Sequence, residues 1–499
     1  MLTTLTAPAF AGTWYIEDGN ITVKASGTEG KNMVSQGNKK DVEDTNTIIT
    51  NREDKASSHT VTIETNDKND KVEVTLKDVN IDTSSRDKAA VSVTGEGDTN
   101  IKLDGDNALK SDIYRSGIYG SGSGSLTISG GENDSLTAQG GSGANGISSS
   151  GSLTISGGTV TANGDDGGRG ISSSGSVTIS GGSTVTANGG NGTISGGDGI
   201  CSSGGVTISG GSTVTANGGN GGSLVGGDGI RSGGGLTVSD GTVTAKGGNG
   251  DSKDGYGGDG IRSGGGVTIS GNTVNAAGGY GGKVGGYGIC SFDRVAISGG
   301  TVEAAGGNGS TGGGSGIYSS VIDLSGSLEL TAKAGSPNGK ALSQKGSELV
   351  LDTIKDKLGP GAKVTATDAD GKVIDQVSTP RPVEPEESSS SSDGGSATPS
   401  APASSLPGLT VTDKDGQRIS YTSTQSGNTL TVCVGRFTAS FRISLAALRQ
   451  LRAEGIETIT FQTILCSTTL SVDELLAMGG EDAEAVLTHR LTDSSLTVG

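Results

Sequence analysis

Between residues 91 and 340 the apolar positions fall into three short phrases that return in the same order, with glycine between them. The phrase (L/V)-T-(I/V)-S opens at Leu126, Leu153, Val177, Val206, Leu236 and Val267, with degenerate copies at Val295 ("VAIS") and Ile322 ("IDLS"). By subtraction these openings lie 27, 24, 29, 30, 31, 28 and 27 residues apart, the period of a solenoid repeat. Ile101 ("IKLD") and Leu349 ("LVLD") extend the series at either end.

Inside a phrase the alternation has period two. Val267 and Ile269 face one way, Thr268 and Ser270 the other, as on a half-buried strand. In "TVTA", Val243 and Ala245 alternate with Thr242 and Thr244, and "DGI" adds a third short strand with Ile230 inward. Glycine pairs between the phrases are expected to supply turns with positive φ. Three strands and three glycine-rich corners per repeat predict an all-β, right-handed parallel β-helix. Leucine-rich repeats share the period, but their L-x-x-L-x-L pattern is missing. Disorder would have no reason to keep the inward register.

The rest of the chain is organised around this solenoid. Residues 1–11 read as a signal-peptide remnant, because Ala9-Phe10-Ala11 has the A-x-A form of a cleavage site. Residues 12–90 ("HTVTIET", "KVEVTLKDVNID") are expected to form irregular first coils and an N-terminal cap. Residues 91–378 are the glycine-rich β-helix with a C-terminal cap, where "DTIKDKLGP" reads as a helix capped by Asp352 and stopped at Gly359-Pro360. Residues 379–407 hold six of the nine prolines and form an extended linker. Residues 408–499 read as a small α+β module. Leu445, Leu448 and Leu451 mark its first helix, ending at Gly455. Ser471 and Glu474 form a capping box on a second.

Composition narrows the function. With 93 glycines in 499 residues, 30% apolar and 3% aromatic residues, the chain lacks the material for one large core but suffices for thin stacked slices. Its net charge of −18 repels phosphate backbones and anionic lipid, so neither nucleic acid nor a membrane surface is an expected partner. No run of 18 apolar residues is present, so no span is expected. The expectation is a secreted or cell-surface protein acting as a monomer.

Catalytic parts are sparse. The two histidines, His59 and His489, lie in different domains, which removes a histidine-based triad. Asp165-Asp166 with Arg169 superficially resembles the aspartate pair of pectin hydrolases, but the G-H-G histidine and the R-x-K segment of those enzymes are missing. Adjacent aspartates at a glycine corner are more often solvated turn residues, and no enzyme activity is expected. "LPGLT" at 406–410 is not a sorting signal.

More suggestive are residues that stack from coil to coil. Asp198, Asp228 and Asp259 of "GGDGI" fall at one point of three coils spaced about 4.8 Å apart. A column of carboxylates could be relieved by bound Ca²⁺, or could simply point into water at exposed corners. The following positions read Tyr119, Ser148, Ser172, Cys201, Arg231, Arg262, Cys290 and Tyr318. Cys201 and Cys290 are then about 14 Å apart, too far for a disulfide. Cys433 and Cys466 could bridge if their strands are neighbours. Tyr256, Tyr280, Tyr287 and Tyr318 fall in the longest corner loops. Their rings could stack on sugar faces, with Arg231 and Arg262 beside them as candidate carbohydrate contacts. A stacked T-x-T grid (Thr159/Thr161 to Thr242/Thr244) is similar to ice-binding solenoids. Its breaks at Asn275 and Glu303, and threonine's ordinary strand preference, explain it without ice.

At "AAVSVTGEGDTNIKLDGDNALKS" and the "LTISGGTVTA…GDGI" coils, residues 12–360 resemble secreted, carbohydrate-binding right-handed β-helix surface proteins of anaerobic Gram-positive bacteria. The module containing "LRAEGIETITF" resembles a domain appended to such proteins. The resemblance implies an extracellular protein that binds a polysaccharide or a host or plant glycan without cleaving it, with Ca²⁺ held at Asp198, Asp228 and Asp259. Asn145, Arg169, Tyr287 and Ser315 replace the aspartate in other coils, which interrupts any continuous ion column.

Overall fold

The computed structural model describes residues 12–380, apart from residue 29, and shorter runs between 408 and 498. The signal-like segment 1–11 and most of the linker lie outside the described residues. The chain forms two compact units that divide near residue 385.

The first unit is a parallel β-solenoid of about 13 turns. Its three strand phrases pair in register from coil to coil, because each keeps its inward residues at alternate positions. The "DGI" isoleucines stack from Val61 and Val91 through Ile118, Ile147, Ile171, Ile200, Ile230, Ile261, Ile289 and Ile317 to Leu342. The second column runs Leu126, Leu153, Val177, Val206, Leu236, Val267, Val295, Ile322. The third runs Val160, Val185, Val214, Val243, Val274, Val302, Leu330. These side chains are buried in one continuous core. Each contributes about 1.5–3 kcal/mol of burial, a small slice repeated many times.

Both ends of the series differ from the sequence-based register. Ile101 pairs with Ile128, not Leu126, so Thr99 takes the inward position of the phrase. Leu349 lies outside any strand. There the side chain of Gln344 substitutes for a strand, its Oε1 accepting from the Ile322 N–H at 2.9 Å. The first coils are more regular than expected: Thr13–Tyr15 and Ile21–Ala25 pair in parallel with Ile48–Thr50 and Val61–Glu64. The N-terminal cap is an antiparallel pair of strands, Asn32–Gln36 and Lys39–Asp44, laid against Ile21–Ala25. Trp14 lies beside it, donating its indole N–H to Asp44 at 2.7 Å. At the far end Lys363–Thr367 and Val373–Ser378 form a closing hairpin. The segment Leu351–Lys357 is a 3₁₀ helix, and Asp352 is not its cap. The Leu351 N–H is taken instead by Asp375 of the hairpin, at 2.9 Å.

Glycine has two separate uses. In the "SGG" corners Gly157, Gly158, Gly181, Gly182, Gly210 and Gly211 have positive φ, as turns require. The "GGNG…GGDG" glycines do not. There the chain leaves the body in a loop and returns, and the two legs pack backbone to backbone. Their N–H groups zigzag between legs and coils: Gly227 to Gly219, Gly248 to Gly227, Gly258 to Gly248 and Gly279 to Gly258, at 2.8–2.9 Å. A Cβ on Gly227 would lie 1.9 Å from the Gly197 carbonyl oxygen, and one on Gly258 1.9 Å from that of Gly227. No residue with a side chain fits this seam.

The second unit has two four-stranded sheets and the helices Leu445–Ala453 and Val472–Ala477. Ser444 and Ser471 cap them through the N–H groups of Ala447 and Glu474, and Gly455 ends the first with φ +92°. Phe441 and Phe461 pack with ring centres 4.9 Å apart, with His489 edge-on to Phe441. Among the described residues no helix is long and apolar enough to cross a membrane.

Candidate functional site

Asp198, Asp228 and Asp259 are in one column but do not point into water; each is 4–6% exposed. Each carboxylate reaches along the solenoid axis to the next coil. Asp198 Oδ1 accepts the Asp228 N–H at 2.9 Å, Asp228 Oδ1 the Asp259 N–H at 2.8 Å, and Asp259 Oδ1 the Tyr287 N–H at 2.7 Å. Asn145 does the same with a neutral amide, accepting the Arg169 N–H at 2.8 Å. In these four coils the position supplies a short side-chain acceptor, charged or neutral, whereas Arg169 and Tyr287 occupy it in others.

The second carboxylate oxygens face arginines. Arg169 Nε lies 3.2 Å from Asp198 Oδ2, Arg231 Nη1 3.6 Å from Asp228 Oδ2, and Arg262 Nη1 3.0 Å from Asp259 Oδ2. Three guanidiniums answer three carboxylates. Burial, and then the flanking Asp259 and Asp198, push the Asp228 carboxyl up to about 8. Burial also raises that of Asp259. This donor set fits Ca²⁺ poorly. One oxygen of each aspartate is committed to a backbone N–H, the other faces a cation, and a calcium ion needs six or more oxygens. Among the described residues no group of three or more His, Cys, Asp or Glu side chains is arranged around a metal position.

Beside the column runs a groove of about 540 Å³ that crosses four coils, marked by Asp198, Asp228, Asp259 and Tyr287. Arg231 and Arg262 form one wall. The other is a row in the loop legs: Ser195, Val225, Tyr256 and Val284. Val225, Tyr256 and Val284 are joined by single β-bridges, which hold them at one register. Seven of the sequence-nominated residues thus meet in one groove: the three aspartates, Arg231, Arg262, Tyr256 and Tyr287. Tyr256 is 42% exposed, and the Lys283 ammonium sits 5.7 Å from its ring centre.

Tyr318 does not lie in a loop. It follows Ile317 in a strand, in the outward arginine column, and stacks on Tyr287 with centres 5.0 Å apart. Tyr280 lies outside the groove lining. It is exposed near the loop base, its N–H held by Asn249 at 2.9 Å. The sequence reading missed Val225, Val284 and the exposed Ile194 and Leu224. Their register was available, since Val225 and Val284 stand three residues, and Ile194 and Leu224 four, before positions of the aspartate column. Arg169 as partner of Asp198 was legible, since it stands in the aspartate column one coil earlier.

The remaining candidates stay apart. Cys201 and Cys290 are separated by Arg231 and Arg262 in their column. Burial pushes the two thiols up to about 11 and about 12, so neither is a thiolate at neutral pH. Cys466 lies outside the described residues. Cys433 ends the strand Thr429–Cys433. Asp165 and Asp166 are exposed at a turn, and Asp166 has φ +44°. The threonine grid is real as register, Thr159 to Thr184, Thr213, Thr242 and Thr273.

No family model, curated protein or solved structure matches the chain.

Proposed function

We propose that the protein is an extracellular, non-catalytic carbohydrate-binding or adhesive solenoid, and that the groove beside the aspartate column is its binding site. One observation carries the reading: two arginines, a half-exposed tyrosine and apolar side chains line a single groove. Guanidinium groups bond hydroxyls and carboxylates, while ring and aliphatic surfaces cover the apolar faces of sugars. Hydrolysis needs two carboxyls free to exchange protons across a scissile bond. The groove aspartates are held by backbone N–H groups and arginines, which favours binding over chemistry.

Whole protein is to be screened on plant and mucin glycan arrays, with reducing and unsaturated sugar ends assayed in the same samples. Binding without release of ends is expected, and Arg231→Ala with Arg262→Ala is expected to abolish it. Release of ends would place the protein among polysaccharide-cleaving enzymes. No binding to any glycan would leave a structural spacer.

A further inference from the structure

The groove has a direction. Its lining comes from equivalent positions of four successive coils, so it runs along the solenoid axis and not around a coil. Each coil presents the same three elements in the same order. First comes a loop-leg position (Ser195, Val225, Tyr256, Val284), then the glycine pair, then the column of Asp198, Asp228, Asp259 and Tyr287. In-register pairing sets this repeat at about 4.8 Å, close to the length of one pyranose unit in an extended chain. The glycine floor leaves nothing protruding between the walls.

We propose that the groove holds a linear polysaccharide along the solenoid axis, one sugar unit per coil, with ring faces on Val225, Tyr256 and Val284 and edge hydroxyls or carboxylates toward Arg231 and Arg262. This rests on the carbohydrate reading above and adds polarity and length to it. The shared chemistry is an extended 1,4-linked pyranose chain, neutral or uronic.

Two ladders of two to six units, cello-oligosaccharides and oligogalacturonates, separate those sources when titrated against whole protein by calorimetry. Affinity in one ladder is expected to climb with each unit to four and then level off. Tyr256→Ala should weaken the four-unit ligand about fivefold, as loss of one ring contact does. It should weaken the two-unit ligand less. Ser195→Tyr, which adds a ring one coil further on, should strengthen ligands of four units and more. Affinity that is already complete at two units overturns the axial arrangement and leaves the carbohydrate reading standing. No binding in either ladder overturns the arrangement, and with blank arrays it overturns the carbohydrate reading too.

Discussion

The coils before residue 120 and those between 141 and 340 stack by the same three strand columns, yet they hold their outer surfaces in different ways. The early coils turn directly and tie their faces with exposed ion pairs between neighbours, such as Lys77 with Asp104 at 2.8 Å and Lys110 with Asp82 at 3.2 Å. Such pairs are screened by salt and each adds little. The later coils send out loops held by backbone hydrogen bonds along a glycine seam, with an asparagine ladder (Asn191, Asn220, Asn249) accepting N–H groups from coil to coil. A polar surface tolerates many residues. A seam in which one backbone rests on another tolerates one.

The largest effect should come from filling the seam. Gly227→Ala places a Cβ 1.9 Å from a backbone oxygen that cannot move aside, and a cost of about 4 kcal/mol or more is expected. Urea melts followed by circular dichroism would report it. A cost near that of an ordinary turn glycine would mean that successive coils are not in contact at Gly197 and Gly227. Ile230→Ala opens a cavity in the shared core and should cost about 3 kcal/mol. The same substitution at Ile118 of the early coils should cost a similar amount, because the core is common to both regions. Gly182→Ala, at φ +70° with open space around it, should cost about 1 kcal/mol, the price of a left-handed alanine.

Asp228→Asn tests the column by pH. The folded carboxyl is raised to about 8, so between about pH 4 and that value the folded state binds the proton that the unfolded state has lost. Stability contributed by this group is therefore full below the unfolded value and is lost as pH rises through about 8. Asparagine, which Asn145 shows can hold the same bond, should flatten this part of the curve and raise the melting temperature at pH 9. An unchanged slope would assign the pH dependence elsewhere. The smallest effect is expected from chelation: with each aspartate already paired to an arginine, EDTA should leave the melting temperature unchanged. A drop restored by Ca²⁺ would show that the arginines give way to the ion.

The sequence alone determined the solenoid, its three strand columns and, except at Ile101 and Leu349, the residues within each, because inward alternation leaves a mark at every second position. Serine at 471 and glycine at 455 likewise marked helix ends, since capping and positive φ select few residue types. It also placed Asp198, Asp228 and Asp259 in line. What it could not determine was where their carboxylates pointed or what the loop glycines were for. Both depend on the next coil: the carboxylates turn along the axis because a backbone N–H waits one coil further on, and the glycines are demanded by neighbouring stretches of chain, such as Gly197 against Gly227. Val225, Tyr256 and Val284 each stand three residues before a position of the aspartate column, a register legible in the sequence, but only the folded stack brought them opposite Arg231 and Arg262. Local alternation is written in adjacent residues, whereas close approach between distant segments exists only after folding.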